Sequence, residues 1–269
     1  MENTQRKKII IITIYLLIFF LIIFGLYYIF KPKPSCFDNI QNQNEKGIDC
    51  GGVCQKECNE IKAHNLIIGE TGIVPSGIVG KYDFYAKVSN PNVAFGDKNL
   101  TYEIEFKDAD GNTIVSQLGS SFVLPSEEKY IIQNNIELST IPTSGILKII
   151  SSDWTRFDDY YERPDIQIVN KNYSEVSDGV GFANAHGLLR NRSPFDFDGI
   201  KIQVILRDID GKVLALNSTE MKNIKAGEDR DFKVFWPSSF PGVVSLMEVQ
   251  ADVNIFNSNS FLKKFNSNG

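Results

Sequence analysis

Apolar and polar residues follow three different patterns along this chain. From Ile9 to Phe30 the run IIIITIYLLIFFLIIFGLYYIF carries no charged residue. As a helix rising ~1.5 Å per residue it would cover roughly 33 Å, enough for a hydrocarbon core of about 30 Å. The expectation is an uncleaved membrane span. A secretory signal has a shorter apolar region and ends in a small-residue cleavage site, whereas this run passes into LYYIFKPKPS. Arg6, Lys7 and Lys8 precede it and Lys31 and Lys33 follow, so the positive-inside rule leaves the amino terminus in the cytoplasm. The expected location is the plasma membrane of a prokaryote, single-pass, with the body outside and residues 1–34 forming tip and anchor.

Beyond residue 61 the pattern alternates with the period of two that marks strands with one buried face, and it does so twice. YEIEFKDADGNTIV at Tyr102–Val115 aligns with IQVILRDIDGKVLA at an offset of 100 residues. Tyr102, Ile104 and Phe106 fall on Ile202, Val204 and Leu206, and Asp108, Asp110 and Gly111 fall on Asp208, Asp210 and Gly211. Asp-Gly between alternating strands is a hairpin signal; turn formation by these aspartates suffices without calcium. Continued without a gap, the offset sets Leu124 on Ile224, Glu128 on Glu228, and Ile146 and Ile149 on Leu246 and Val249. A repeat of this length suits a whole β-sandwich. The predicted fold is mainly β: an N-terminal transmembrane helix, a disulfide-ordered segment over 35–60, and two tandem antiparallel sandwiches over 61–160 and 161–269. Each sandwich is expected to have about seven strands.

The third pattern is a polar stretch with little to build a core from, CFDNIQNQNEKGIDCGGVCQKEC, which holds all four cysteines: Cys36, Cys50, Cys54 and Cys58. Outside the cytoplasm an even number of cysteines reads as a disulfide framework, each bridge worth about 2–4 kcal/mol, with three pairings open. A four-cysteine zinc site is the rival, although paired Cys-x-x-Cys knuckles are absent. Asp38, Asn42, Glu45 and Asp49, with Asn39 and Asn44 beside them, also offer the oxygen ligands of a weak calcium site; turn formation by Asn, Asp and Gly explains the same composition.

This stretch resembles a juxtamembrane motif of bacterial and archaeal surface proteins, CxDxIxNxxExGxDCGGxC with a last cysteine shortly after. Cys36, Asp38, Ile40, Asn42, Glu45, Gly47, Asp49, Cys50, Gly51, Gly52, Cys54 and Cys58 occupy it. The family more often closes with two residues between its last cysteines, and this chain has three. The resemblance implies an extracytoplasmic setting and no activity. The alternation ending in Asp, Ile104-x-Phe106-x-Asp108 and Val204-x-Leu206-x-Asp208, is similar to FxLYD-type and late-embryogenesis-like sandwiches, with Lys107 and Arg207 in place of the Tyr. That similarity implies immunoglobulin-like modules for structure or interaction.

Charge and chemistry narrow the function. The chain is formally −5, and without its basic first 34 residues it is more acidic still, which argues against nucleic acid. His64 and His186 stand outside any nucleophile or metalloprotease motif. Asp158, Asp159 and Glu162 fit a solvated cluster better than an acid and base pair across a cleft. No enzyme activity and no cofactor are expected. In DWTRFDDYYERPD, where the sandwiches meet, Trp154, Phe157, Tyr160 and Tyr161 with Arg156 and Arg163 have the composition of a binding hot spot; filling the space between two domains is the structural alternative. The expected function is a non-catalytic, membrane-anchored scaffold or interaction subunit of the cell envelope, with an envelope or membrane protein as partner. The alternative is an adhesin or receptor that takes glycans or peptides at the aromatic junction or loop ends.

Overall fold

Alternation at period two does produce strands here, and they pair antiparallel throughout. The structure, a computed structural model, describes residues 2–30, 35–56, 62–157 and 162–266. The chain divides into two units, Met1–Lys62 and Ala63–Gly269.

In the first unit, helix α1 covers Glu2–Phe30. Among the described residues no helix is long and apolar enough to cross a membrane. The expected span over Ile9–Phe30 is therefore corrected, and with it the single-pass location with its inside amino terminus.

The second unit holds two β-sandwich-like pairs of sheets. Strands β1 (Ile67–Pro75), β2 (Lys81–Ser89) and β5 (Glu128–Glu137) form one sheet in the order β1-β2-β5. It faces β3 (Phe95–Lys107), β4 (Thr113–Val123) and β6 (Ser144–Ser151) in the order β4-β3-β6, with the short β7 (Trp154–Arg156) on the start of β3. Phe84, Ala86, Val88, Ile104, Phe106 and Ile131 fill the space between the sheets.

The second copy repeats this topology. Strands β8 (Ile166–Glu175), β9 (Ala183–Asn191) and β12 (Asp229–Trp236) form the sheet β12-β9-β8. Strands β10 (Phe197–Arg207), β11 (Val213–Ile224) and β13 (Leu246–Val253) form β11-β10-β13. Ile202, Val204 and Leu206 point into its core, as the alternation predicts, to meet Phe232, Val234 and Trp236. In place of a seventh strand the second copy has a 3-10 turn, Ile255–Asn257, capped by Asn254, and then helix α2, Asn259–Asn266.

The offset between copies is 100 only across the β3-β4 and β10-β11 hairpins. There Asp108 Oδ1 accepts from the N–H of Asp110 and Asn112, and Asp208 Oδ1 from those of Asp210 and Lys212. At the next turn the Glu127 carboxylate accepts from Leu124 N, and Glu228 from Lys225 N; the offset has become 101, and Glu128 does not match Glu228. At the last strand Phe106 pairs with Gly145 while Leu206 pairs with Met247, an offset of 102. The gapless alignment is thus corrected: a bulge in β3 sets Asp97–Leu100 against only Ser121–Val123, whereas β11 carries one residue more opposite Phe197–Ile200, and one further residue enters between the next turn and the last strand.

Candidate functional site

A strand with only one buried face should alternate, yet Phe84-Tyr85-Ala86, Tyr130-Ile131-Ile132 and Val204-Ile205-Leu206 are buried without interruption. The reason is that the outer face of β1-β2-β5 is packed on the outer face of β11-β10-β13. Val74, Tyr85, Tyr130 and Ile132 of the first copy meet Ile205, Val213 and Leu216 of the second in a third apolar cluster. Full burial of one such side chain is worth about 1.5–3 kcal/mol.

Two cations close the rim of this contact. The Arg207 side chain is 8% exposed, and its guanidinium donates in two directions to Glu70, at 3.0 and 2.8 Å to the two carboxylate oxygens. It also donates to Tyr130 Oη (3.0 Å), to the Gly211 carbonyl (2.7 Å) and to Glu248, so all five N–H groups are used. These bonds hold its pKa above the ordinary value and hold that of Glu70 below it. Tyr85, which donates to Glu70, is pushed up to about 12, chiefly by burial. Lys129 is 1% exposed; its ammonium pairs with Asp252, donates to the Phe122 carbonyl (3.0 Å) and stands 3.7 Å from the Phe122 ring centre. Tyr130 N donates to Gln250 Oε1 at 2.8 Å. The interface is therefore fixed by oriented polar bonds as well as by apolar area.

Equivalent positions elsewhere are charged. Ile205 corresponds to Glu105, which pairs with Lys148, and Arg207 corresponds to Lys107. Tyr85, Tyr130 and Ile132 correspond to His186, Asp231 and Lys233 on the outer face of β9 and β12. Each copy thus has one outer face built for docking and one built for water, which stops the stack at two.

Above this contact the two copies leave a cleft of about 580 Å³. Tyr102, Phe122 and Gln133 line it from the first copy and Lys201, Asn254 and Phe256 from the second. Burial holds the Lys201 ammonium below its ordinary pKa.

The aromatic junction is divided between the cores. Trp154 packs on the first and Phe157 on the second, where its ring lies 5.7 Å from that of Phe256. A Cβ at Gly96 would come within 2.8 Å of Phe157, so this crossing needs glycine. Tyr160 and Tyr161, like Asp158 and Asp159, lie outside the described residues. Arg163 reaches Glu127 at 2.8 Å, and the pKa of that carboxyl is raised by burial. His64 and His186 are exposed.

In the cysteine segment Cys36 and Cys54 are joined, Cys50 is also disulfide-bonded, and Cys58 lies outside the described residues. Joined sulfurs are not thiolates, which removes the donor set a four-cysteine zinc site requires. Asp38, Asn42, Glu45 and Asp49 do come together. Asp49 accepts from the N–H of Asp38 and Asn39, Glu45 from those of Asn42 and Asp49, and Asp38 from those of Ser35 and Ile40 and from the Asn42 amide. These carboxylates take the place of secondary structure in satisfying the backbone. Donors from Ser35 and Asn42 hold Asp38 below its ordinary pKa. Gly52, at φ +61°, is required because a Cβ there would lie 2.0 Å from the Asn44 carbonyl.

The docking residues were missed by the alternation argument, although the unbroken apolar triplets are visible in the sequence. Also missed were two buried asparagines that repeat between copies. Asn90 donates to the carbonyls of Phe95 and Leu124, and Asn191 to those of Phe195 and Lys225.

No family model matches this chain, and no curated protein matches it. Among solved structures it is similar to a red sea bream transglutaminase at a TM-score of 0.19 and 11% identity. The alignment covers 68% of this chain and 31% of that one. A likeness at that score carries no assignment.

Proposed function

We propose that this chain is a non-catalytic interaction module: two immunoglobulin-like sandwiches of FxLYD-like type, docked face to face so that their free loops and sheet faces are presented to a partner protein in one fixed arrangement. The observation that carries this reading is the docked interface, in which Arg207 uses every donor it has and Lys129 is buried against Asp252. Groups that could serve chemistry are occupied in holding the fold: Glu70, Tyr85, Glu127 and Tyr130 all bond within it. Fixed geometry lowers the ordering cost of binding, the advantage expected of a scaffold.

Reciprocal cross-linking and mass spectrometry of the full chain in its source cells tests the proposal. One protein should be linked to the same few loop or sheet positions whichever of the two is tagged. Turnover of a substrate by the purified chain, or links scattered over unrelated proteins, would refute it.

A second reading, a receptor for a soluble ligand, is favoured by the cleft between the copies, whose lining mixes aromatic rings with amides and one lysine.

A further inference from the structure

The cleft has a chemical bias. Lys98 pairs with Asp153, and Lys129 pairs with Asp252. Lys201, half-buried in the same cleft, has no hydrogen bond or ion pair among the described residues. Lys201 stands between Asp252 and Glu220 on the two neighbouring strands, but Asp252 is taken by Lys129 and Glu220 lies 3.9 Å from Lys222, so no carboxylate is committed to the Lys201 charge in its partly desolvated place. An anion of one unit satisfies it, and a charge-assisted bond to that anion is about twice as strong as a neutral one.

Around that charge the free groups are neutral and polar. Tyr102, 1% exposed, backs the cleft from the first core, with its Oη held by Gln133 (2.8 Å). The Asn254 side chain uses its oxygen to cap Phe256 N, and its amide NH2 is unengaged among the described residues. Asn99 and Asn257 add two exposed amides to the rim. Side-chain amides offer a donor and an acceptor together, which fits adjacent hydroxyls. Half-buried Phe256 supplies an apolar wall, backed edge to face by the buried Phe122 ring, whose centre lies 6.4 Å away. A volume of about 580 Å³ suits a small ligand.

We propose that the cleft between the two copies binds an acidic sugar, a polyhydroxylated ligand bearing one carboxylate, with the carboxylate on Lys201, hydroxyls on Asn254 and the rim amides, and the sugar face against Phe256. This rests on the receptor reading above and names its ligand class. The chain as a whole is acidic, so the preference for an anion is local to Lys201.

Titration calorimetry and ligand-observed NMR with the full chain test it, using glucuronate, galacturonate, mannuronate and their disaccharides against glucose, galactose and mannose. At least one uronate should bind tenfold or more tighter than its neutral counterpart. Lys201→Met should abolish that preference without lowering the melting temperature, and Lys201→Arg should keep it. Asn254→Ala should weaken the uronate and the neutral sugar alike. If neutral sugars or peptides bind the cleft as well as any uronate does, the acidic-sugar assignment is overturned and the receptor reading survives. If no sugar and no peptide binds, both are overturned.

Discussion

Removal of the Lys129 ammonium should be among the most damaging single changes in residues 63–269. Its side chain is 1% exposed and that of Asp252 is 10% exposed, and Lys129 is the only hydrogen-bond partner Asp252 has among the described residues. In Lys129→Met the apolar stem survives while the Asp252 carboxylate loses its donor and the Phe122 carbonyl keeps only the 3.4 Å bond from Ser121 Oγ. Breaking one side of a buried pair costs about 3–5 kcal/mol. For a unit of this size each kcal/mol lowers the melting temperature by about 2–4 °C, so the variant should melt about 6–20 °C below the parent. Asp252→Leu should cost a similar amount for the converse reason. The double variant Lys129→Met/Asp252→Leu should regain most of the loss, because an apolar pair in place of a buried ion pair is often neutral or better. Urea unfolding of all four proteins measures the coupling. Single variants that each cost less than about 1 kcal/mol, or a double variant that costs the sum of the two, would refute the pair as a fixed part of the interface.

Other consequences follow from the same contacts. Ile205→Glu puts a charge where the first copy has Glu105 paired with Lys148 and the second has a side chain 1% exposed; it should separate the copies while each keeps its sheet signal in circular dichroism, with loss of the single unfolding transition. Glu70 is held below its ordinary value of 4.5, first by its bond to Arg207, so its contribution is complete above that value and is lost as pH falls through the lower folded one; Glu70→Gln should flatten the acid limb of stability against pH, and an unchanged limb would contradict the clamp. Asn191→Ala leaves the Phe195 carbonyl without its donor, while the Lys225 carbonyl keeps the Glu228 N–H, and should cost about 1–3 kcal/mol by urea unfolding, more than any exposed asparagine such as Asn257. Cys36→Ser opens a bridge across 18 residues and should remove about 3 kcal/mol from the cysteine segment, seen as faster proteolysis within 35–56 and no change in the melting of 63–269.

Much of the fold is legible in the sequence because each core-facing position repeats. Ile104 and Phe106, with Val204 and Leu206, lie at the same place in two copies, and the Asp108 and Asp208 turns announce their own geometry. The numbering drift is hidden because its first step arises at a bulge in β3, opposite which β4 is one residue shorter than β11, and a bulge has no sequence signature here. Docking is hidden for a different reason: Tyr130-Ile131-Ile132 reads as an ordinary buried strand until its partner sheet is present, and only the contrast with Asp231 and Lys233 in the second copy marks it. Of the site residues, the cysteines and their carboxylate neighbours are legible as a cluster, because a segment without a core must satisfy its backbone with side chains. The cleft is not legible, since Tyr102 and Lys201 come from hairpins in separate copies and meet only through docking. The apolar run at the amino terminus shows the opposite case, a composition that suggests a membrane span although among the described residues no helix is long and apolar enough to cross a membrane.

That the two copies behave as one presenting body is tested most directly by differential scanning calorimetry of the whole chain beside its Ile205→Glu variant. A single transition for residues 63–269, with calorimetric and van't Hoff enthalpies equal, should split into two in the variant. Two resolved transitions in the parent chain, or a single one that Ile205→Glu leaves in place, would contradict it.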